Sequence, residues 1–390
     1  MIDAPAALTT VARRGAGTAV VTGTAALSAF GRGTDALLAG VLSGLPAFAP
    51  VQRFDVGRRR VRIAAAMPGQ PELLAELIRA VREACDEAGL AAGDRARSAL
   101  FLAVHGDPRI ARAPGDDARG FGTEALAAEV ARGGGLAGPG LRSYTSGCVA
   151  ASTAIADAAA LIARGRADRI VVAAGYLVDS DQFALFDAGR VLADDGQVRP
   201  FSAGRRGLLL GDGVGAIVVE SAGSARARRA PVLARLAGWG RAGDAFHPCL
   251  PHPQGRGLAR AVTAALERAG LAGGQLGYVN ANGSGTRDAD PAEASALRLA
   301  LGDAVAEVPV SSTKSLHGQA LEAAGVLELI VTLLAARKGM LPPNAGFLGA
   351  DDACRLNLVL DGAAAATPQY AMSLNSAFGG ANTALVLGVP

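Results

Sequence analysis

Two successive series of short apolar runs, separated by stretches at helical spacing, set the tightest limit on how this chain folds. Residues 19–23, 99–104, 170–174 and 216–220 carry the first series. Residues 232–238, 276–280, 308–311, 371–375 and 383–387 carry the second. A strand wetted on one face alternates apolar and polar residues, whereas a run that is apolar throughout is covered on both faces. Helical stretches at 33–43, 72–87, 150–160, 257–269, 292–301 and 320–337 lie between the runs. The clearest is 72–87, where Leu73, Leu74, Leu77, Ile78, Val81 and Ala84 share one face and Gly89 follows the end. The order predicts an α/β fold with sheets covered on both sides. Because both series run alike, an internal structural duplication is expected. The Arg/Ala-rich stretch 221–230 marks the boundary, between a half at 18–222 and a half at 231–390. Residues 208–210 and 216–220, joined by a glycine-rich link, read as a hairpin. Residues 1–17 read as loose and 106–121 as a loop.

At 390 residues the chain suffices for two domains or one large double-core domain. Half of it is apolar and only 4% aromatic, with abundant Ala and Gly, which suits closely packed helices. A net charge of +3 is small for this size and argues against general nucleic-acid binding, while leaving room for an acidic partner on a local patch. Basic charge is nearly all Arg. Lys314 and Lys338 are the only lysines, so a lysine inside a motif stands out. The four cysteines, Cys85, Cys148, Cys249 and Cys354, have neither metal-ligand spacing nor a disulfide pattern. The N-terminus lacks a charged region followed by an apolar one, and no apolar run is long enough for a bilayer. A reduced, cytoplasmic protein with no membrane partner is expected.

Cys148 sits in Tyr144-Thr145-Ser146-Gly147-Cys148-Val149-Ala150, where turn residues give way to a small-residue helix. A thiol at a helix start feels the positive end of the helix dipole, which favours thiolate and nucleophilicity. Further on, Val279-Asn280-Ala281-Asn282-Gly283-Ser284-Gly285-Thr286 follows an expected strand as a polar glycine loop. Its glycines do not frame Ser284 as a nucleophile elbow does. Ser311-Ser312-Thr313-Lys314-Ser315-Leu316-His317-Gly318-Gln319 precedes the long apolar helix and reads either as a surface capping loop or as a buried loop aiming polar groups at a site. Phe378-Gly379-Gly380-Ala381-Asn382 lies between two apolar runs, as a hairpin turn or as a presenter of backbone N–H to an oxyanion. Gly211-Asp212-Gly213-Val214-Gly215 lies between strands rather than at a strand-to-helix turn, which excludes dinucleotide binding. His247, Cys249 and His252 are interrupted by Pro248 and Pro251 and followed by Pro253, and read as a loop rather than a metal site.

Taken together and in this order, these segments resemble the elongation-type β-ketoacyl-acyl carrier protein synthases of the thiolase-like superfamily. Gly138-Pro139 resembles the pair before the family's nucleophile strand, and Ser146-Gly147-Cys148 its Thr-Ala-Cys. Arg199-Pro200-Phe201-Ser202 with the 211–215 glycines, Asp244-Ala245-Phe246-His247, and the closing 374–382 segment follow in register, with Phe378 on the gating phenylalanine. The resemblance implies a five-layer αβαβα sandwich from two duplicated βαβαβαββ halves. It implies that Cys148 accepts an acyl chain from an acyl carrier protein, with the backbone N–H groups of Cys148 and Phe378 as the oxyanion hole. Ser284 and Thr286 are implied as pantetheine-contacting hydroxyls. The phosphopantetheine of the carrier is then the substrate arm, and no other cofactor is implied. A homodimer, or a heterodimer with another ketosynthase-like chain, is the implied assembly.

The departures matter as much. Where the family has two histidines, this chain has Asn282 and Gln319; Lys314 is kept. The cap segment between Ala103 and Gly134 is shorter than the family's. Asn and Gln donate hydrogen bonds but exchange no proton near neutral pH. The expected activity is acyl transfer through Cys148 without efficient decarboxylative condensation, in fatty acid or polyketide-type secondary metabolism. Two alternatives stand beside it: a chain-length-factor-like, non-catalytic subunit paired with a complete ketosynthase, and a condensing enzyme using His317.

Overall fold

The computed structural model describes residues 17–110 and 120–390. The expectations for 1–16 and for the middle of the 106–121 loop lie outside the described residues. To the ordered path of the large sheet the first half supplies five strands: β1 (Ala19–Ser28), β2 (Ala99–Val104), β3 (Arg142–Tyr144), β4 (Arg169–Tyr176) and β5 (Gly213–Ser221). The second supplies β6 (Ala234–Gly243), β7 (Tyr278–Asn280), β8 (Val310–Ser311), β9 (Tyr370–Ser376) and β10 (Ala381–Gly388). Their spatial orders are β3-β2-β4-β5-β1 and β6-β10-β9-β7-β8. From either outer edge inward the pairings are parallel, parallel, antiparallel, antiparallel. The same order of signs in both halves is the duplication expected from the sequence. The halves join where β1 pairs antiparallel with β6 through Val20–Arg235 and Val21–Ala234.

Helices complete the layers. The outer face of the first half carries α1 (Leu73–Glu87) and α2 (Thr123–Gly134), and that of the second carries α4 (Arg256–Ala269) and α5 (Ala289–Leu301). Between the sheets lie α3 (Ala150–Ala163) and α6 (Ala324–Lys338), giving the five-layer α/β sandwich of the thiolase-like fold. An amphipathic stripe suffices for α1, which buries Leu77, Ala80, Val81, Ala84 and Cys85. Helix α6 is buried nearly all round, including Val326, Leu327, Leu329, Ile330, Val331 and Leu333, as a helix held between two sheets must be. Each such side chain contributes about 1.5–3 kcal/mol on leaving water. The central helices meet backbone to backbone: a Cβ on Gly325 would lie 2.6 Å from Ser152 N. Ser152 Oγ meets Thr383 Oγ1 at 2.6 Å, which ties α3 to β10.

Three sequence expectations change. Residues 208–210 form no hairpin with 216–220. They make isolated parallel bridges, Leu192–Leu208 and Leu210–Gln319, while β5 pairs with β1 and β4. The helix expected over 320–337 starts at Ala324, because a separate 3₁₀ turn, Leu321–Ala323, precedes it. Helix α2 and the helix Ser180–Ala188 lie where the sequence reading placed no element, while β3 stands where the resemblance implied a strand after Gly138-Pro139. No helix among the described residues is long and apolar enough to cross a membrane.

Candidate active site

Cys148 lies in the middle of the 3₁₀ turn Gly147–Val149, which leads directly into α3. Gly147 enters this turn at φ +61°, in the left-handed region that glycine adopts without a Cβ penalty. The thiol is 7% exposed. Burial pushes it up to about 12, the negative Glu322 adds to the rise, and the Lys314 ammonium opposes it. Burial thus opposes the push toward thiolate expected from the helix start. The helix start is present, but desolvation of a buried charge outweighs it, and the thiol holds its proton at neutral pH.

The loop after β7 is held from below by a carboxylate. Asn282 N and Gly283 N donate to the two oxygens of Glu293, each at 2.7 Å. Burial pushes Glu293 up to about 7 even though both N–H groups favour its charged form. Asn282 Oδ1 accepts from Ser376 N at 3.2 Å. From there, Ser376 Oγ donates to Asn382 Oδ1 at 2.7 Å, and Asn382 Nδ2 donates to Asp244 Oδ1 at 3.0 Å. Ser376 and Asn382 flank the turn that carries Phe378, so Asn282 is coupled to that turn.

Ser284 and Thr286 point into their own loop rather than standing free. Their hydroxyl oxygens are 3.0 Å apart, and Thr286 Oγ1 accepts from Ala289 N at 3.4 Å. Asp290 anchors the segment by accepting from Gly285 N at 3.1 Å and Phe201 N at 2.8 Å. Burial pushes this carboxyl up to about 6.

Lys314 and Glu328 form an ion pair, 2.6 Å apart and essentially sealed from solvent. The ammonium approaches Oε1 off the hydrogen-bonding direction, so both atoms lack an aligned partner. Glu328 Oε2 accepts from Asn375 Nδ2 at 2.7 Å. His317 is fully buried. Its Nδ1–H donates to Gly318 O at 2.8 Å, and its Nε2 faces Thr313 Oγ1 at 3.0 Å. Burial and the Lys314 charge push it down to about 4, so it is neutral. Gln319 is fixed by its main chain: its N donates to Leu209 O at 2.8 Å and its O accepts from Gly211 N at 2.9 Å. Its side-chain Oε1 is buried without a partner. A Cβ on Gly211 would lie 2.0 Å from His317 O, which explains a glycine there. Next to it, Asp212 accepts from both terminal nitrogens of Arg53, at 2.9 and 2.7 Å, and from Met67 N and Val178 N. The glycine-rich link is thus a structural clamp.

Phe378 is 51% exposed and leans on Phe186, with ring centroids 6.1 Å apart. Gly379 and Gly380, at φ +87° and +75°, close its turn. A Cβ on Gly147 would come within 3.7 Å of Ala377 Cβ, so this turn packs on the Cys148 turn. The structure therefore brings the Phe378 turn onto the Cys148 turn, with Asn282 tied to it through Ser376, and sets the Lys314 charge within electrostatic reach of the thiol. Ser284 and Thr286 lie farther along, against Asp290. His247 and His252 each use Nδ1 to accept backbone N–H groups within their own loop.

Sequence reasoning missed the carboxylates that organise the site, Glu293, Glu328 and Glu322, together with His105. Glu322 Oε1 is 3.0 Å from His105 Nδ1, and His105 Nε2 is 2.8 Å from Gln182 Nε2. Their sequence surroundings give no spacing signal; only tertiary contact assembles them.

The β-ketoacyl synthase N-terminal domain model matches residues 77–225, and the β-ketoacyl synthase C-terminal domain model matches 233–348. The chain is 39% identical over 263 residues to nodulation protein E of Rhizobium meliloti, covering 67% of this chain. The match spans 64% of that relative's length. A crystal structure of a β-ketoacyl synthase from Burkholderia phymatum STM815 superposes with a TM-score of 0.89 at 27% identity, covering 96% of this chain and 100% of that one. The ishigamide ketosynthase/chain length factor superposes with a TM-score of 0.88 at 28% identity, with the same coverage. With both domain models matched in order on a fold of this kind, the chain belongs to the β-ketoacyl synthase family.

Proposed function

We propose that this chain is a ketosynthase-like acyltransferase of fatty acid or polyketide-type metabolism. It takes an acyl group from the phosphopantetheine thioester of an acyl carrier protein onto Cys148. It passes the group to a thiol, amine, hydroxyl or water, without efficient decarboxylative condensation. One observation carries this reading: the buried thiol under the Phe378 turn is accompanied by amides, Asn282 and Gln319, at the positions where the resemblance places imidazoles. Thiol–thioester exchange needs a nucleophile, an oxyanion hole and a leaving thiol. Condensation also needs a positioned proton carrier, whose loss typically costs roughly 10²–10⁴-fold in rate. His317 does not replace it, because both its ring nitrogens are engaged within its own loop.

Incubation with acyl carrier protein thioesters of graded chain length, followed by intact-mass measurement, tests the proposal. One acyl adduct on the wild-type chain and none on Cys148→Ala is the expected result. An adduct that survives Cys148→Ala would refute it. No adduct on either chain would also refute it, and would favour a non-catalytic subunit paired with a complete ketosynthase.

A further inference from the structure

The central helices begin alike. The turn Gly147–Val149 opens α3 and the turn Leu321–Ala323 opens α6. Each turn has three residues, and each opens at positive φ, +61° at Gly147 and +42° at Leu321. Each holds one reactive side chain in the middle, Cys148 or Glu322, and the two turns pack on each other. A leucine in this conformation is strained by about 1–2 kcal/mol, and such strain gathers at functional sites.

Glu322 is 2% exposed. Its Oε1 accepts from His105 Nδ1–H, while its Oε2 is buried with no hydrogen-bond partner. Gln182 Nε2 donates to His105 Nε2, which places the ring proton on Nδ1. The His105 side chain is 56% exposed, so the chain of contacts runs from a sealed carboxylate to solvent. The ionisable groups around Glu322 are Cys148, Tyr176 and His105; Lys314 and Glu328 also act on Cys148, and Asp179 and Asp212 on Tyr176. A buried oxygen without a donor is costly; the two turns are in contact, and the Cys148 thiol, which makes no hydrogen bond to Oε2 at rest, is a donor on the facing turn.

We infer that Glu322 is the general base of Cys148, its Oε2 taking the thiol proton, with His105 as the residue that positions the carboxylate. This rests on the acyl-transfer reading above. In the step, the Sγ–H bond breaks and an Oε2–H bond forms. The thiolate adds to the thioester carbonyl, making a C–S bond. The tetrahedral oxyanion then collapses, breaking the bond to the pantetheine sulfur, and that thiolate takes the proton back from Oε2. No charge is gained or lost, and Glu322 is ready for the reverse exchange onto an acceptor thiol.

Alkylation by iodoacetamide between pH 6 and 8, in a Cys249→Ser background because that thiol is exposed, followed by peptide mass mapping of Cys148, tests this without any acyl substrate. A thiolate–carboxylic acid pair has the same net charge as a thiol–carboxylate pair, so its population does not vary with pH. The wild type is expected to react at a nearly flat rate across that range. Glu322→Gln is expected to react about 10²-fold more slowly at pH 6 and to gain about tenfold per pH unit, as an ordinary thiol does. Glu322→Asp keeps the flat profile at a reduced rate, and His105→Ala lowers the plateau several-fold. Faster alkylation of Glu322→Gln at every pH would overturn the inference, because that is the signature of a carboxylate that merely repels a thiolate. An unchanged plateau in His105→Ala would remove His105 from it. Should Glu322→Gln fail to fold, a flat profile lost in Glu322→Asp would overturn it equally. A flat wild-type profile with no acyl adduct would overturn the acyl-transfer reading alone. An adduct with a steep wild-type profile would overturn the base alone.

Discussion

The turn at Cys148 and the turn at Glu322 occupy equivalent places in the two halves, yet they are built from different means. The first is entered through Ser146 and Gly147, small residues that take the left-handed conformation freely. The second follows Lys314, His317 and Gln319 and is entered through a leucine held at φ +42°. One presents a thiol and the other a carboxylate. A duplicated scaffold supplies two inward-facing positions at its centre, and the chemistry depends on their being filled differently. The burdens differ too. The first turn desolvates a neutral thiol, whereas the second desolvates a carboxylate and lies beside the buried Lys314–Glu328 pair and a neutral imidazole.

That asymmetry is most easily broken at Lys314. Lys314→Ala leaves Glu328 buried without its cation, and a loss of about 3–5 kcal/mol is expected in denaturant unfolding at pH 7. The loss shrinks at acid pH, because burial already pushes Glu328 upward and the unpaired carboxyl takes a proton. A smaller effect separates the halves by pH. His317 titrates at about 4 in the folded chain, below the ordinary 6.5. The folded state refuses a proton that the unfolded state accepts. The stability from His317 is thus complete above about pH 6.5 and is lost as pH falls toward 4, by about 3 kcal/mol in all. Melting temperatures measured from pH 7 to 4 are expected to fall less steeply in His317→Gln than in the wild type. The smallest effect sharpens the first turn: Gly147→Ala adds a Cβ with only ordinary contact to Ala377, so it reports backbone strain alone, about 1–2 kcal/mol. A larger loss in urea unfolding would show that the Cys148 turn is also sterically closed.

The layered fold was legible because its central strands are buried on both faces and carry their signal in every residue, as 99–104 does. Residues 208–210 carry the same signal and misled, because their partners, Leu192 and Gln319, are remote in sequence. Helix α2 was unread because Gly122 at its N-terminus provides no side-chain cap. The helix Ser180–Ala188 did leave a sign, Asp179, which accepts from Asp181 N and Gln182 N. In the site, Cys148 and Lys314 stood out against small neighbours and a lysine-poor chain. Glu293, Glu322 and Glu328 did not, since a carboxylate in a helical stretch usually marks a wet face. Tertiary packing makes these three dry.

The clamp between Gly211 and the 317–319 segment acts on main-chain atoms at both contacts. Position 319 is consequently a socket: the backbone holds the residue in place whatever side chain it bears. Such a socket lets the side chain at 319 be exchanged while the architecture stays intact. New chemistry can then arise by single substitutions, without first rebuilding the loop that delivers it.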